Sequence, residues 1–121
     1  MTKNDLPDLR RLAANGQITY SNHALQQMLA RGCFTADVEQ ILKSNTNQLV
    51  ETQSPSAAAG RQHRDSRYII ADPEFTPDTA VVITLDVSNP TAPQINIITV
   101  EPALDAVWDK DKTKDPWLTR K

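Results

Sequence analysis

The chain has 121 residues, a formal net charge of −2, 39% hydrophobic residues and 23% charged residues. This length supports one domain with its own core, and the mild acidity argues against a general nucleic-acid coat protein, which is normally basic. A single cysteine excludes an internal disulfide, and the sequence has neither an apolar leader nor an apolar run of membrane-spanning length. We therefore expect a cytoplasmic protein, or one delivered into a target cytoplasm, without membrane contact.

The first third of the chain has the patterns of three helices. The first helix is predicted over residues 5–15, where leucines follow helical spacing and Asn15-Gly16 ends the pattern. A short β-like run at residues 17–20 leads into the second helix, predicted over residues 21–31. The third begins with Thr35 as N-cap and ends in the polar turn at residues 44–47.

The second predicted helix has the clearest signals in the chain. Ser21 is a favourable N-cap, and Gly32 stands where a left-handed C-terminal residue is preferred. His23, Gln27 and Arg31 recur every four residues, so they line one strip beside the apolar face. The apolar face, which we expect to pack on a sheet, comprises Ala24, Leu25, Met28 and Leu29.

From residue 48 the pattern becomes that of strands. Strands are predicted at residues 49–52, 67–71, 80–87 and 94–100, joined by turns and by a long loop over residues 53–66. A short C-terminal helix is predicted over residues 103–109. Helices followed by a strand meander indicate an α+β fold, with N-terminal helices packed on a four- or five-stranded antiparallel sheet. We expect a single domain over residues 1–110 and a charged, mobile tail over residues 111–121.

The segment Ser-x-His-Ala-x-x-x-Met-x-x-Arg-Gly at residues 21–32 precedes a second short helix, and the strands end in Ile-Thr-Val. This pattern resembles a bacterial family of small stand-alone proteins and C-terminal toxin domains. That family is placed with the RelE, barnase, EndoU and colicin ribonuclease fold, and the resemblance covers residues 18–100. It implies a RelE/barnase-like fold and a toxin-like ribonuclease activity, with RNA and a cognate antitoxin or immunity protein as partners.

Metal-independent RNA cleavage needs a base, an acid and cations for the charge that develops on phosphorus. Near a helix start the dipole disfavours imidazolium, so His23 is a candidate general base, with Arg31 as a phosphate clamp. Arg67, expected on a strand, is a candidate transition-state clamp. A histidine that merely caps or packs locally is the structural alternative for His23.

Further candidates for substrate binding lie in the second half of the chain. Arg61, His63 and Arg64 form the one concentrated basic segment, with His63 as possible general acid. Tyr68 is a candidate for base stacking, and Thr99 falls in the terminal strand pattern. The structural alternatives are a solvated loop for the basic segment and ordinary sheet positions for Tyr68 and Thr99.

No metal and no cofactor are expected. Two histidines without ligand spacing and one cysteine make a zinc site improbable, and three glycines hardly supply a nucleotide-binding loop. The leading hypothesis is a metal-independent, toxin-like endoribonuclease that leaves 2′,3′-cyclic phosphate. The alternatives are a non-catalytic protein- or RNA-binding module of the same fold, which the acidic charge favours, and an antitoxin or immunity-type partner.

Overall fold

The structure is a computed structural model, and it describes residues 1–54, 66–75, 80–88 and 93–121. Its helices are α1 (Leu6–Ala14), α2 (Asn22–Arg31) and α3 (Thr35–Lys43). The ends of α2 follow the predicted signals, because Ser21 Oγ accepts a hydrogen bond from Ala24 N at 3.0 Å and Gly32 has a left-handed φ of 65°. At α3 the N-cap is Phe34 instead of the predicted Thr35, and the Asp37 carboxylate accepts from Phe34 N at 2.8 Å.

Seven strands are described, and they belong to two sheets. The larger sheet has five strands in the order β1-β5-β4-β3-β2, and the smaller sheet is the pair β6-β7. The bounds are β1 Ile18–Tyr20, β2 Gln48–Gln53, β3 Arg67–Ala71, β4 Val81–Ser88, β5 Gln94–Pro102, β6 Trp108–Lys110 and β7 Leu118–Arg120. The α+β class and the five-stranded sheet were therefore predicted correctly.

The larger sheet is mixed, so the prediction of a wholly antiparallel sheet is wrong at one edge. Strands β2, β3, β4 and β5 pair antiparallel, whereas β1 runs parallel to β5 with Ile18 opposite Ile95. No hairpin turn sets the direction of β1, because its partner lies far along the chain. Instead β1 runs directly into α2, and Ser21 N continues the ladder by donating to Ile97 O at 3.0 Å.

Side chains on the two faces of the five-stranded sheet form two cores. The helix-side core joins the helices to one face, and the hairpin-side core joins the β6-β7 pair to the other. Strand β3 shows the alternation, since Ile70 belongs to the first core while Ile69 and Ala71 belong to the second. The buried members of the hairpin-side core are Ile69, Ala71, Val82, Ala103, Trp108, Trp117 and Leu118.

The predicted C-terminal helix over residues 103–109 is wrong. The chain continues β5 to Pro102, then turns and enters β6, where Trp108 pairs with Arg120 of β7. A seven-residue helix is marginal without packing partners, and here strand pairing and tryptophan burial prevail. Trp117 and Leu118 are buried, and Trp117 N donates to Gln48 Oε1 at 2.7 Å. The expected tail boundary at residue 111 therefore does not coincide with a structural boundary.

The apolar stripe of α2 is only half buried. Met28 lies in the helix-side core with Ala24, as predicted. Leu25 and Leu29 do not pack on the sheet, since 43% and 85% of their surfaces are exposed. The reason is that α2 lies along the margin of the sheet beside β5, so a narrower stripe makes contact than periodicity alone suggests.

Candidate functional site

The polar strip of α2 is fastened to the edge of β5. Strand β1 pairs with β5 only as far as Ile97, which leaves the following β5 backbone groups without a strand partner on that side. Gln27 Oε1 accepts from Val100 N at 2.9 Å, and Arg31 Nη1 donates to Val100 O at 3.0 Å. Ser21 Oγ donates to Ile98 O at 3.0 Å. These side chains replace the missing strand, because strand-edge amides and carbonyls need partners.

This arrangement gives most of the predicted helix motif a structural explanation. Ser21 both caps α2 and binds β5, and Arg31 holds the same strand from the other end of the helix. His23 is different. It is exposed and makes no hydrogen bond or ion pair with the described part of the chain.

The structure does not bring Arg31 and Arg67 together. Val100, which Arg31 contacts, pairs with Ile83, and Ile83 pairs with Ile70. Arg67 lies three residues from Ile70 along β3, which separates it from the level of Val100 by about 10 Å in the strand direction. Strand β3 is also two strands away from β5, which adds a separation of about 10 Å across the sheet. Arg67 also faces the opposite side of the sheet, by the alternation that places Ile69 and Ala71 in the hairpin-side core.

Arg67 and Thr99 share the face of the sheet that carries the hairpin. Thr99 pairs with Thr84, which pairs with Ile69 of the hairpin-side core. Arg67 follows the same alternation, and its Nε is buried without a hydrogen-bond partner among the described residues.

The same face carries a chain of polar contacts near Arg67. Thr19 Oγ1 donates to Asn96 Oδ1, and Asn96 Nδ2 donates to Asp86 Oδ1, each at 2.7 Å. Asp86 follows the Tyr68–Leu85 pair by one residue, so it stands at the level of Arg67. This polar row offers hydrogen-bonding groups to a ligand, but Arg67 is the one cation that the described part of the chain contributes to it.

Tyr68 faces the helices, away from Arg67. Its ring packs against the helix-side core, and its hydroxyl accepts from the N-terminal amine of Met1 at 3.0 Å. Stacking on a nucleobase needs an exposed aromatic face, and the partial burial of this ring does not favour that role. The predicted substrate-binding residues Arg61, His63 and Arg64 lie outside the described residues.

A groove opens where the C-terminal end of α2 meets α3 and the ends of β4 and β5. Its volume is about 610 Å³, within the usual range for ligand sites. The rim carries charged groups of both signs, from Arg31, Asp37 and Glu101. The apolar lining is contributed by Cys33, Phe34, Phe75, Val81, Val100 and Pro102.

Two properties of the groove bear on its chemistry. Phe34 is 69% exposed, so an aromatic side chain is presented at the groove without a covering partner in the described structure. Burial, and then the Asp37 carboxylate, raise the pKa of the Cys33 thiol above its ordinary value. A protonated thiol is a poor nucleophile at neutral pH, so Cys33 serves the groove as an apolar lining group.

Sequence analysis anticipated Arg31 but not the groove around it. The lining comes from the α2–α3 connection, the turn after β3, the start of β4 and the end of β5. Phe34, an aromatic residue two positions after the helix-ending Gly32, was the one available signal.

Comparisons of the chain with protein-family models, curated proteins and solved structures give no match. Within the described ranges, no three His, Cys, Asp or Glu side chains lie close enough together to share a metal ion. None of the described helices has the length and apolar character needed to cross a bilayer. Cytoplasmic location remains a prediction.

Proposed function

We propose that the chain is a non-catalytic binding module that captures a segment of a partner protein in the groove beside α2. The observation that carries the proposal is the groove itself, a space of about 610 Å³ with an apolar lining and a charged rim. Ligand sites commonly combine a mostly apolar concavity with a few polar groups that fix orientation.

The exposed Phe34 gives the groove the character of a protein-recognition site. Aromatic residues are enriched at the centres of protein interfaces, where they contribute much of the binding energy. An aromatic or large aliphatic side chain of the partner would enter the groove against Phe34, Phe75 and Val81.

The rim favours a partner with a basic residue beside its apolar anchor. Arg31 already donates to Val100 O. The Asp37 carboxylate accepts from Phe34 N at 2.8 Å and the Glu101 carboxylate accepts from Gln27 Nε2 at 3.2 Å, and each carboxylate keeps lone pairs for a further donor. A lysine or arginine next to the anchor would meet these carboxylates, and the net charge of −2 would favour its approach.

The ribonuclease hypothesis finds less support in this geometry. Acid–base cleavage needs the base and the cationic clamps around one phosphate. Arg31 is engaged with β5, Arg67 faces the opposite side of the sheet, and His23 makes no hydrogen bond or ion pair with the described residues. The binding hypothesis requires no such convergence.

Selection from a random peptide library displayed on phage tests the proposal. Enriched peptides are expected to share an aromatic or large aliphatic residue next to lysine or arginine. Their binding should fall about tenfold or more in Phe34→Ala and in Glu101→Lys, the scale for losing one interface anchor or reversing one charge contact. Leu104→Ala is the matched control, since Leu104 is also exposed but does not line the groove.

The same protein should be incubated with RNA in a metal chelator. The binding hypothesis predicts intact RNA, and it predicts that expression without a neutralising partner leaves growth unaffected. RNA cleavage to 2′,3′-cyclic phosphate that disappears in His23→Ala would overturn the proposal in favour of the ribonuclease. Peptide binding unchanged in both groove variants would also overturn it.

A further inference from the structure

The two carboxylates at the rim of the groove belong to different parts of the fold and bind different partners. Asp37 lies in the first turn of α3 and is half-buried, whereas Glu101 lies near the end of β5 and is exposed. The Asp37 carboxylate accepts from a backbone amide, Phe34 N, and the Glu101 carboxylate accepts from a side-chain amide, Gln27 Nε2. This difference indicates separate roles in the binding of one partner segment.

Asp37 fixes the backbone of the aromatic residue at the groove. Its Oδ2 accepts from Phe34 N at 2.8 Å, and its own N donates to Phe34 O at 2.9 Å. Both backbone polar groups of Phe34 are therefore bound to Asp37, with Phe34 extended at φ −102° and ψ 160°. Because the backbone sets the position of Cβ, these bonds direct the exposed phenyl ring. An anchor that is held in advance loses less conformational entropy when it binds.

The negative charge of Asp37 is partly compensated within the fold, and that of Glu101 is compensated less. A carboxylate in the first turn of a helix interacts favourably with the helix dipole, and its hydrogen bond from Phe34 N is charge-assisted. Glu101 lies on a strand, where net dipoles are small, and its contact with Gln27 is to a neutral amide. More of the Glu101 charge therefore acts on a partner that approaches the rim.

We propose that Glu101 selects a basic side chain of the partner segment, while Asp37 is a positioning residue that presents Phe34 to the partner's apolar anchor. This division of roles rests on the proposed capture of a partner segment in the groove. Arg31 stands on the same rim and repels a cation, so the preference for a basic residue is moderate.

Calorimetric titration with two peptides tests the two roles. One is a peptide enriched from the phage library, and the other is its neutral counterpart, with norleucine in place of lysine or citrulline in place of arginine. The native chain should bind the basic peptide about three- to fivefold more tightly, the scale of an exposed ion pair. In Glu101→Gln this ratio should fall to about one.

The variants of Asp37 should behave differently. Asp37→Ala should weaken the binding of both peptides by a similar factor of about five, the scale of one capping hydrogen bond, and should keep their ratio. Asp37→Asn should regain most of the lost affinity, since its amide oxygen can still accept from Phe34 N. Hydrogen exchange of the Phe34 amide, measured by NMR on the free protein, should be faster in Asp37→Ala than in the native chain and in Asp37→Asn.

The outcomes separate this division of roles from the groove proposal. A ratio that survives Glu101→Gln, or that Asp37→Asn removes as fully, overturns the division and leaves peptide capture standing. Equal exchange of the Phe34 amide in the native chain and both Asp37 variants overturns the positioning role without any peptide. If the native chain enriches no peptide with a basic residue, the groove proposal and the role of Glu101 fail together.

Discussion

The two faces of the five-stranded sheet carry layers that are fixed in different ways. On the helix side, polar side chains bind specific backbone atoms, as Arg31 binds Val100 O and Asn47 Nδ2 binds Ile41 O. On the hairpin side, apolar burial is joined by the Arg120 guanidinium, 4.6 Å from the Trp108 ring centre, and by two polar contacts to β2, from Trp117 N to Gln48 Oε1 and from Arg120 to Glu51. Directed hydrogen bonds fix position closely, whereas apolar contact tolerates sliding. The groove, bounded by α2 and β5, lies on the helix side, where the side chains of Arg31 and Asn47 bind backbone carbonyls.

The largest expected effect tests whether the hairpin layer belongs to the cooperative fold. Trp117 is buried in the hairpin-side core. Trp117→Ala should lower the free energy of unfolding by about 3–5 kcal/mol, through lost burial and the cavity that remains. Urea unfolding followed by circular dichroism measures this loss. Leu104→Ala should stay within about 0.5 kcal/mol, as expected for a surface position. A loss below about 1 kcal/mol for Trp117→Ala would show that the hairpin is an accessory to an independently stable sheet.

The second prediction concerns the polar ties of the helix side. Asn47 is 2% exposed, and its amide donates to Ile41 O and Leu42 O at the end of α3. Its Oδ1 accepts from Arg10 Nε of α1 at 2.9 Å. Asn47→Ala leaves these buried groups unpaired, so we expect a loss of about 2–4 kcal/mol in unfolding free energy. Asn45→Ala, at an exposed position two residues away, is the control and should have little effect. Equal losses of unfolding free energy in Asn47→Ala and Asn45→Ala would show that the hydrogen bonds of Asn47 do not stabilise the fold.

The third prediction concerns the polar strip of α2, where Arg31 binds β5 and His23 is exposed without a hydrogen bond to the described residues. Arg31→Ala removes the hydrogen bond to Val100 O, and because Arg31 is largely exposed we expect a loss of only about 1–2 kcal/mol. His23→Ala, on the same strip, should change stability by less than about 0.5 kcal/mol. Thermal unfolding of both variants measures which of the two side chains stabilises the fold. If the order of the two effects were reversed, His23 rather than Arg31 would be the structural residue of the motif.

The local parts of the fold were predictable and the non-local parts were not. Ser21 and Gly32 specify the ends of α2 by chemistry within one turn, so its bounds agree with the prediction. The parallel pairing of Ile18 with Ile95 joins residues far apart in the chain, and no local pattern encodes it. Trp108 was placed in a helix because its strand partner, Arg120, follows a long turn.

The candidate site divides in the same way. Arg31 was found because its spacing with His23 and Gln27 is a property of one helix. Its placement relative to Arg67 depends on strand order and on which face of β3 the side chain occupies, and neither is visible before the sheet is assembled. The groove was missed for the same reason, since Phe75 and Val81 approach Cys33 only in the folded chain.

The smallest expected effect compares the two tyrosines of the helix side. Tyr20 Oη is buried without a hydrogen-bond partner in the described structure, whereas Tyr68 Oη accepts from the Met1 amine at 3.0 Å. At neutral pH, Tyr20→Phe should leave the unfolding free energy within about 1 kcal/mol of the native value, because no hydrogen bond is lost. Tyr68→Phe should destabilise by about 0.5–1.5 kcal/mol, the usual net value of one hydrogen bond.

Alkaline pH then separates Tyr20 from the rest of the molecule. Burial, followed by the charges of Glu39 and Cys33, raises the pKa of Tyr20 from its ordinary 10.0 to about 12. A raised pKa means that the folded chain holds the phenol proton more tightly than the unfolded chain does, so this contribution is complete below pH 10 and is lost as the pH rises towards about 12. Over that interval the native chain should lose more stability than Tyr20→Phe, which has no proton to release. Urea unfolding at several pH values measures both slopes. If the native chain and Tyr20→Phe lost stability with pH at the same rate, the hydroxyl of Tyr20 would be open to solvent in the folded chain. The packing of Tyr20 between β1 and α3 would then be looser than the burial of its hydroxyl indicates.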